Sequence, residues 1–121
     1  MIAVIFEVMP AEGKKDAYLD IAANLKPLLH EVEGFISVER FQSITDPSKL
    51  LSLSFFEDES ALDNWRTLSE HRAAQKAGRN GMFDDYRLRV VSVMRDYGPD
   101  RNRDQAPGDS NTLHCPHLTK A

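Results

Sequence analysis

Phe35-Ile36-Ser37-Val38-Glu39-Arg40-Phe41-Gln42-Ser43-Ile44-Thr45-Asp46-Pro47-Ser48-Lys49-Leu50-Leu51-Ser52-Leu53-Ser54-Phe55-Phe56-Glu57 is the stretch that decides the architecture. Along residues 35–44 apolar and polar side chains alternate, with Ile36 and Val38 to one side and Ser37 and Glu39 to the other. That period of two marks a half-buried strand. Thr45-Asp46-Pro47-Ser48 is suited to a turn, because Asp and Ser hydrogen-bond their own backbone and Pro presets φ. Residues 50–57 return as a second strand, so the stretch predicts an antiparallel hairpin.

Upstream, residues 2–9 are rich in β-branched and aromatic side chains and end at Pro10, which removes a ladder donor. From residue 11 to about residue 32, Tyr18, Ile21, Ala22, Leu25, Leu28, Leu29 and Val32 recur at helical spacing and form one apolar stripe. Pro27 falls inside this pattern and predicts a kink, while Gly34 suits a left-handed cap beyond the helix.

Downstream, Asp58 is placed to cap a helix running through Trp65 and Leu68, and Ser69 to cap a second piece reaching about residue 77 after a short bend. Gly78 and Gly81 break the pattern before residues 86–94, the final and longest strand. Beyond Tyr97-Gly98-Pro99 apolar residues become scarce, so residues 99–121 are expected to be a polar tail on a domain of residues 1–98.

The order β-α-β-β-α-β predicts an α+β, ferredoxin-like arrangement, one antiparallel sheet with both helices on one face. Strand one offers Ile2, Val4, Phe6 and Val8 to one side and Ala3, Ile5 and Met9 to the other; the third strand sets Leu51, Leu53 and Phe55 against Ser52, Ser54 and Phe56. Helices cover only one of these surfaces, so the second is expected to be buried against another copy of the chain in a homodimer.

Composition narrows the function classes. With 121 residues and 41% hydrophobic content, the chain suffices for one modest core. Its 15 basic and 19 acidic residues give a net charge of −4, which disfavours a nucleic-acid partner. No apolar run approaches a bilayer span and the chain opens directly into Ile2-Ala3-Val4-Ile5-Phe6, so a cytoplasmic protein is expected. The lone Cys115 excludes an internal disulfide and any zinc site built from several cysteines.

Candidate chemistry concentrates in residues 63–75, where Trp65, Arg66, His71 and Arg72 place an indole, an imidazole and two guanidinium groups within a few helical turns. His71 is a candidate general base because imidazole titrates near neutral pH, although a histidine near a helix start also serves simply to cap or pack. Trp65 offers a flat wall for an aromatic ligand, or a core element. Ser52, Ser54 and Phe56 share one strand face, and two hydroxyls turned toward helices are costly unless they bond a ligand, water or each other. That pattern favours a polar-lined cavity. Arg66, Arg72, Arg87 and Arg89 could hold an anion, yet alternating arginines on a last strand are more often solvated or ion-paired. His114-Cys115-Pro116-His117 is the only metal-like cluster, but three ligands crowded on a tail make a poor closed site, so no metal is expected. No Gly-rich phosphate loop, carboxylate pair or hydrolase triad is evident.

Three motifs carry a resemblance: residues 33–41 (Glu33-Gly34-Phe35 onward), residues 53–62 (Leu53-Ser54-Phe55-Phe56-Glu57-Asp58 onward) and Trp65-Arg66-Thr67-Leu68-Ser69-Glu70-His71. In this order and spacing, across roughly residues 1–97, the chain resembles the antibiotic biosynthesis monooxygenase domain of the dimeric α+β barrel superfamily. The resemblance implies a pocket between helices and sheet in each subunit, where some members oxidise phenolic compounds with dioxygen and neither metal nor flavin. Their substrate-orienting Asn, Trp and Tyr correspond here to Ser52, Phe56 and Leu62. A second branch degrades haem using an Asn, a Trp and a His, which correspond to Phe6, Trp65 and Ala74 or Gln75; His71 falls about one turn earlier. A third branch contains small quinol-oxidising proteins. The reading is therefore a cofactor-independent monooxygenase acting on a small aromatic phenol or quinol, with His71 as base and Trp65, Phe56, Ser52, Ser54, Phe6 and Arg66 shaping the pocket. The alternative is a dimer of the same fold that binds haem or another small ligand without turnover.

Overall fold

The computed structural model describes residues 1–76 and 81–109, with side chains for residues 1–69 and 81–109. Its elements are β1 (Ile2–Pro10), α1 (Lys15–His30), β2 (Phe35–Gln42), β3 (Leu50–Phe56), α2 (Glu59–Lys76) and β4 (Phe83–Ser92). The four strands form one antiparallel sheet in the order β2-β3-β1-β4. This is the expected ferredoxin-like α+β arrangement.

The central turn closes as its residues dictate. The Asp46 carboxylate accepts the Ser48 backbone N–H at 3.1 Å, and the Lys49 N–H donates to the Asp46 carbonyl at 2.9 Å. At the start of α2, Asp58 Oδ1 accepts the Ala61 N–H at 2.9 Å and satisfies one otherwise free amide of the first turn.

Several boundaries differ from expectation for identifiable reasons. α1 begins at Lys15 rather than residue 11, because Gly13 takes a φ of +77° and makes Ala11 to Lys14 a turn. Pro27 sits inside a continuous helix, which ends at His30. α2 is one helix instead of two: the Ser69 hydroxyl donates to the Arg66 carbonyl one turn back, so it caps nothing. β4 starts three residues early, at Phe83, since pairing with β1 continues through a bulge at Met9 and Pro10. Ile36, expected beside Val38, is 44% exposed where a second bulge between Phe35 and Ser37 breaks the alternation.

Gly34 joins α1 to the sheet with a φ of +88°, and a Cβ there would lie 2.8 Å from the Cβ of Ala61 in α2. Only glycine meets both demands. Its carbonyl accepts the Glu57 N–H at 2.7 Å, tying the start of β2 to the end of β3.

The helix-facing side of the sheet holds two dry clusters. Val4, Leu29, Phe56 and Ala61 form the first, with Phe35, Val38, Leu62 and Trp65 packed against it. Val8, Tyr18, Leu50 and Met82 form the second, joined by Phe6 and Phe83. The opposite face carries Ala3, Ile5, Leu51, Leu53 and Phe55; Ala3 is 4% exposed, Phe55 lines a depression shared with Arg95, Asp96 and Arg101, and Phe41 farther along is 43% exposed. Ile44 at the hairpin tip is 97% exposed.

The beginning of the tail is tied down. Asn102 and Gln105 side chains bond the backbone of Asp96, Arg103 donates to the Gly98 carbonyl, and the Arg103 guanidinium lies 5.5 Å from the centre of the Tyr97 ring. The His114-Cys115-Pro116-His117 cluster falls outside the described residues. No helix among the described residues is long and apolar enough to cross a membrane.

Candidate functional site

Under the helices the strand register sets four side chains in a row: Arg40 of β2 beside Ser52 of β3, Ser52 beside Phe6 of β1, and Phe6 beside Leu88 of β4. Directly paired residues of an antiparallel ladder point to the same face. That face is the helix-facing one, because Leu50 and Phe56, two residues either side of Ser52 and Ser54 on β3, are buried in the two clusters. The adjoining row is Val38, Ser54, Val4 and Val90.

The two serines therefore sit between the dry clusters, where hydroxyls interrupt an otherwise apolar surface. Among the described residues neither hydroxyl makes a hydrogen bond. Arg40 adds a charge to the same row. It is half-buried, and its Nε is fully shielded without a hydrogen-bond partner. A guanidinium stays charged at any ordinary pH, and a buried donor left unpaired costs about 1–3 kcal/mol, so a native structure rarely keeps one without purpose.

The apolar walls come from both sides. Trp65 is half-buried against the first cluster, and Phe6 makes a T-shaped contact with Phe83, centroids 6.1 Å apart, and a tilted one with Tyr86 at 5.9 Å. Phe56, 1% exposed and edge-on to Phe35 at 5.7 Å, is closed into the core beneath Trp65. Toward β4 this face is open: Leu88 and Val90, on the same face as Phe6 and Val4, are 53% and 47% exposed.

The expected site residues are thus partly assembled. Ser52, Ser54, Phe6 and Trp65 come to one region, with Phe56 behind them, and Arg66 lies exposed on the outer side of α2. His71 lies in α2, but its side chain is outside the described residues, as are those of Arg72, Ala74 and Gln75. Arg40 was not singled out from the sequence, although the strand period already placed it two residues from Val38 on the same face.

The opposite sheet face has a different chemistry. Glu7 bridges Lys49, at 2.7 Å, and Arg89, and the hydrogen bonds from Lys49 first and Arg89 second hold its carboxyl below the usual carboxylate range. Next to it a groove of about 560 Å³ is lined by Ile5, Phe41, Ile44 and Leu51. Among the described residues no group of three His, Cys, Asp or Glu side chains is placed to hold a metal ion.

Comparison with known proteins adds a family. The family model described as antibiotic biosynthesis monooxygenase matches residues 1–77. A Pyricularia oryzae protein named jasmonate monooxygenase is 47% identical over 93 residues, covering 77% of this chain and 43% of that protein. The chain thus spans less than half the length of that relative. A Bacillus subtilis protein, YqjZ, is 29% identical over 93 residues, covering 77% of this chain and 79% of its own. Among solved structures, a Mycobacterium tuberculosis protein superposes with a TM-score of 0.68 at 16% identity, covering 80% of this chain and 98% of that one, which shows the shared fold.

Proposed function

Because this chain belongs to the antibiotic biosynthesis monooxygenase family, we propose that it is a monooxygenase that oxidises a small organic molecule held between the sheet and the helices. The observation that carries this reading is the row Arg40, Ser52 and Phe6, a short polar band between two dry clusters, open toward β4 and flanked by Trp65. A pocket of that make-up suits a ligand with an apolar body and one polar end.

The substrate class proposed is a phenol or quinol that supplies its own electrons, so that no metal or flavin is required. For a phenol with a free para position, the carbon loses hydrogen and gains one oxygen atom while the hydroxyl loses its hydrogen. The second oxygen atom leaves as water, and the organic product is the quinone. The protein's contribution is to remove the phenolic proton and to exclude bulk water from the carbanion-like intermediate. His71 is the proposed base and Trp65 and Phe6 the walls; Phe56 backs the pocket, and Ser52 and Ser54 supply polar contacts, whereas Arg66, exposed on α2, takes no part. The Pyricularia relative's name favours a second reading, in which the substrate is jasmonate or a molecule of that size.

The sheet face away from the helices, with its exposed Phe41 and the apolar groove beside it, supports assembly as a homodimer through that face. Oxygen uptake with a panel of hydroquinones, phenols and jasmonate tests the activity. Turnover that falls at least about 100-fold in a folded His71→Ala variant supports the proposed base. Absence of uptake with every compound moves the protein to ligand binding without turnover, and a haem titration then checks the haem-binding alternative.

A further inference from the structure

We propose that Arg40 is the specificity residue of this site and that it selects ligands ending in a carboxylate. The inference rests on the reading that the helix-facing row is the substrate site, and it names the polar end of what binds there. Arg40 lies at the β2 end of the row, beside Ser52, with Val38 two residues away on the same face. Its Nε is shielded from water and meets no acceptor. The carboxylates nearest along the sheet are committed elsewhere: Glu39 alternates to the opposite face, and Glu7, also on that face, is held by Lys49 and Arg89.

A half-buried guanidinium with its Nε–H shielded and unpaired, beside a hydroxyl and apolar walls, is complementary to an anion that brings its own apolar body. Carboxylate fits best among the common choices, since its two oxygens match the planar donor fork of arginine and it is ionised at neutral pH. A simple phenol is neutral at that pH, with a pKa of about 10, and would leave the charge unanswered. The Ser52 hydroxyl, neighbour to Arg40 across the strand pair, supplies a further donor to the same group.

The test uses the full chain at neutral pH and an isosteric pair of probes, 3-phenylpropanoate and 3-phenylpropanamide, followed by calorimetry and by emission of Trp65, the only tryptophan. The acid is expected to bind the wild type about 10- to 100-fold more tightly than the amide, the range for a charge-assisted hydrogen bond. Arg40→Gln is expected to erase that preference, and Arg40→Lys to retain part of it. Equal binding of the two probes, binding of neither, or an acid preference that survives in Arg40→Gln overturns the proposal. Should Arg40→Gln fail to fold, the wild-type preference and its reduction in Ser52→Ala decide the matter. Acid selectivity without turnover of any substrate would sink the monooxygenase reading and leave Arg40 standing. Turnover of neutral phenols that is unchanged in Arg40→Gln would do the reverse.

Discussion

Gly34→Ala should be among the most damaging single-atom-scale changes available to this chain, and its cost can be divided into two parts. The first is conformational: alanine at a φ of +88° loses about 1–2 kcal/mol relative to glycine. The second is steric, because the new methyl group would meet the Ala61 Cβ at 2.8 Å, with the Glu57 Cβ at 3.7 Å on its other side. Forcing a carbon into a packed junction costs about 1–3 kcal/mol more, as α2 must lift from the start of β2. The sum is roughly 2–5 kcal/mol, a large part of a small domain's stability. Gly13→Ala is the matched control, with a φ of +77° and nothing within 4 Å of the new Cβ, so only the conformational part applies. Urea denaturation followed by far-UV circular dichroism should place the midpoint of Gly34→Ala well below that of Gly13→Ala at unchanged m-value. Adding Ala61→Gly should relieve the contact in exchange for about 1 kcal/mol of helix propensity, so the two changes should couple favourably by about 1–2 kcal/mol. If Gly34→Ala is no worse than Gly13→Ala, or the pair is strictly additive, the close approach of α2 to Gly34 is refuted.

Phe56→Ala should cost about 3–5 kcal/mol and shift Trp65 emission to longer wavelength, since both side chains belong to one cluster; unchanged emission with unchanged stability would contradict that packing. Asp58→Ala should lower stability by about 1 kcal/mol through loss of the cap on Ala61, whereas Asp58→Asn should recover most of it; equal loss in both variants would argue against capping. Glu7 titrates below its ordinary value of 4.5 in the folded protein, so its contribution is present above that pH and is lost as pH falls through the lowered value. Thermal melts of wild type and Glu7→Gln should therefore differ at pH 7 and converge as pH falls from 4.5 through the lowered value, and a constant gap across that window would count against the ion-pair cluster.

How far the fold could be seen in advance depended on whether a local signal matched a local cause. Asp46, Pro47 and Ser48 determine their own turn, and Asp58 its own cap, because the hydrogen bonds involved span two or three residues. Ser69 misled for the same reason: a serine that often starts a helix was overruled by an uninterrupted pattern of good helix formers around it. The bulges at Phe35 to Ser37 and at Met9 to Pro10 depend on the partner strand, and no residue type announces them. Ile36 consequently turned outward and β4 began earlier than its apolar run suggested. In the site, Ser52 and Ser54 stood out as hydroxyls on a strand otherwise apolar. Arg40 did not, because an arginine on an alternating strand resembles a solvated residue until the burial of its Nε is known. Gly34 was legible as a left-handed position, but its contact with Ala61 joins segments 27 residues apart and required the fold.

The central claim is that dioxygen chemistry takes place on the helix-facing side of the sheet beside Ser52, and labelled oxygen with a blocked variant tests it most directly. With a phenol or quinol that supports oxygen uptake, turnover under ¹⁸O₂ should place one labelled atom in the organic product and the other in water. Ser52→Leu, which sets a bulky side chain between the two clusters, should remain folded and lose turnover by at least about 100-fold, in line with displacing a substrate from its reacting geometry. Product without label, or a folded Ser52→Leu protein that turns over as fast as the wild type, would contradict it.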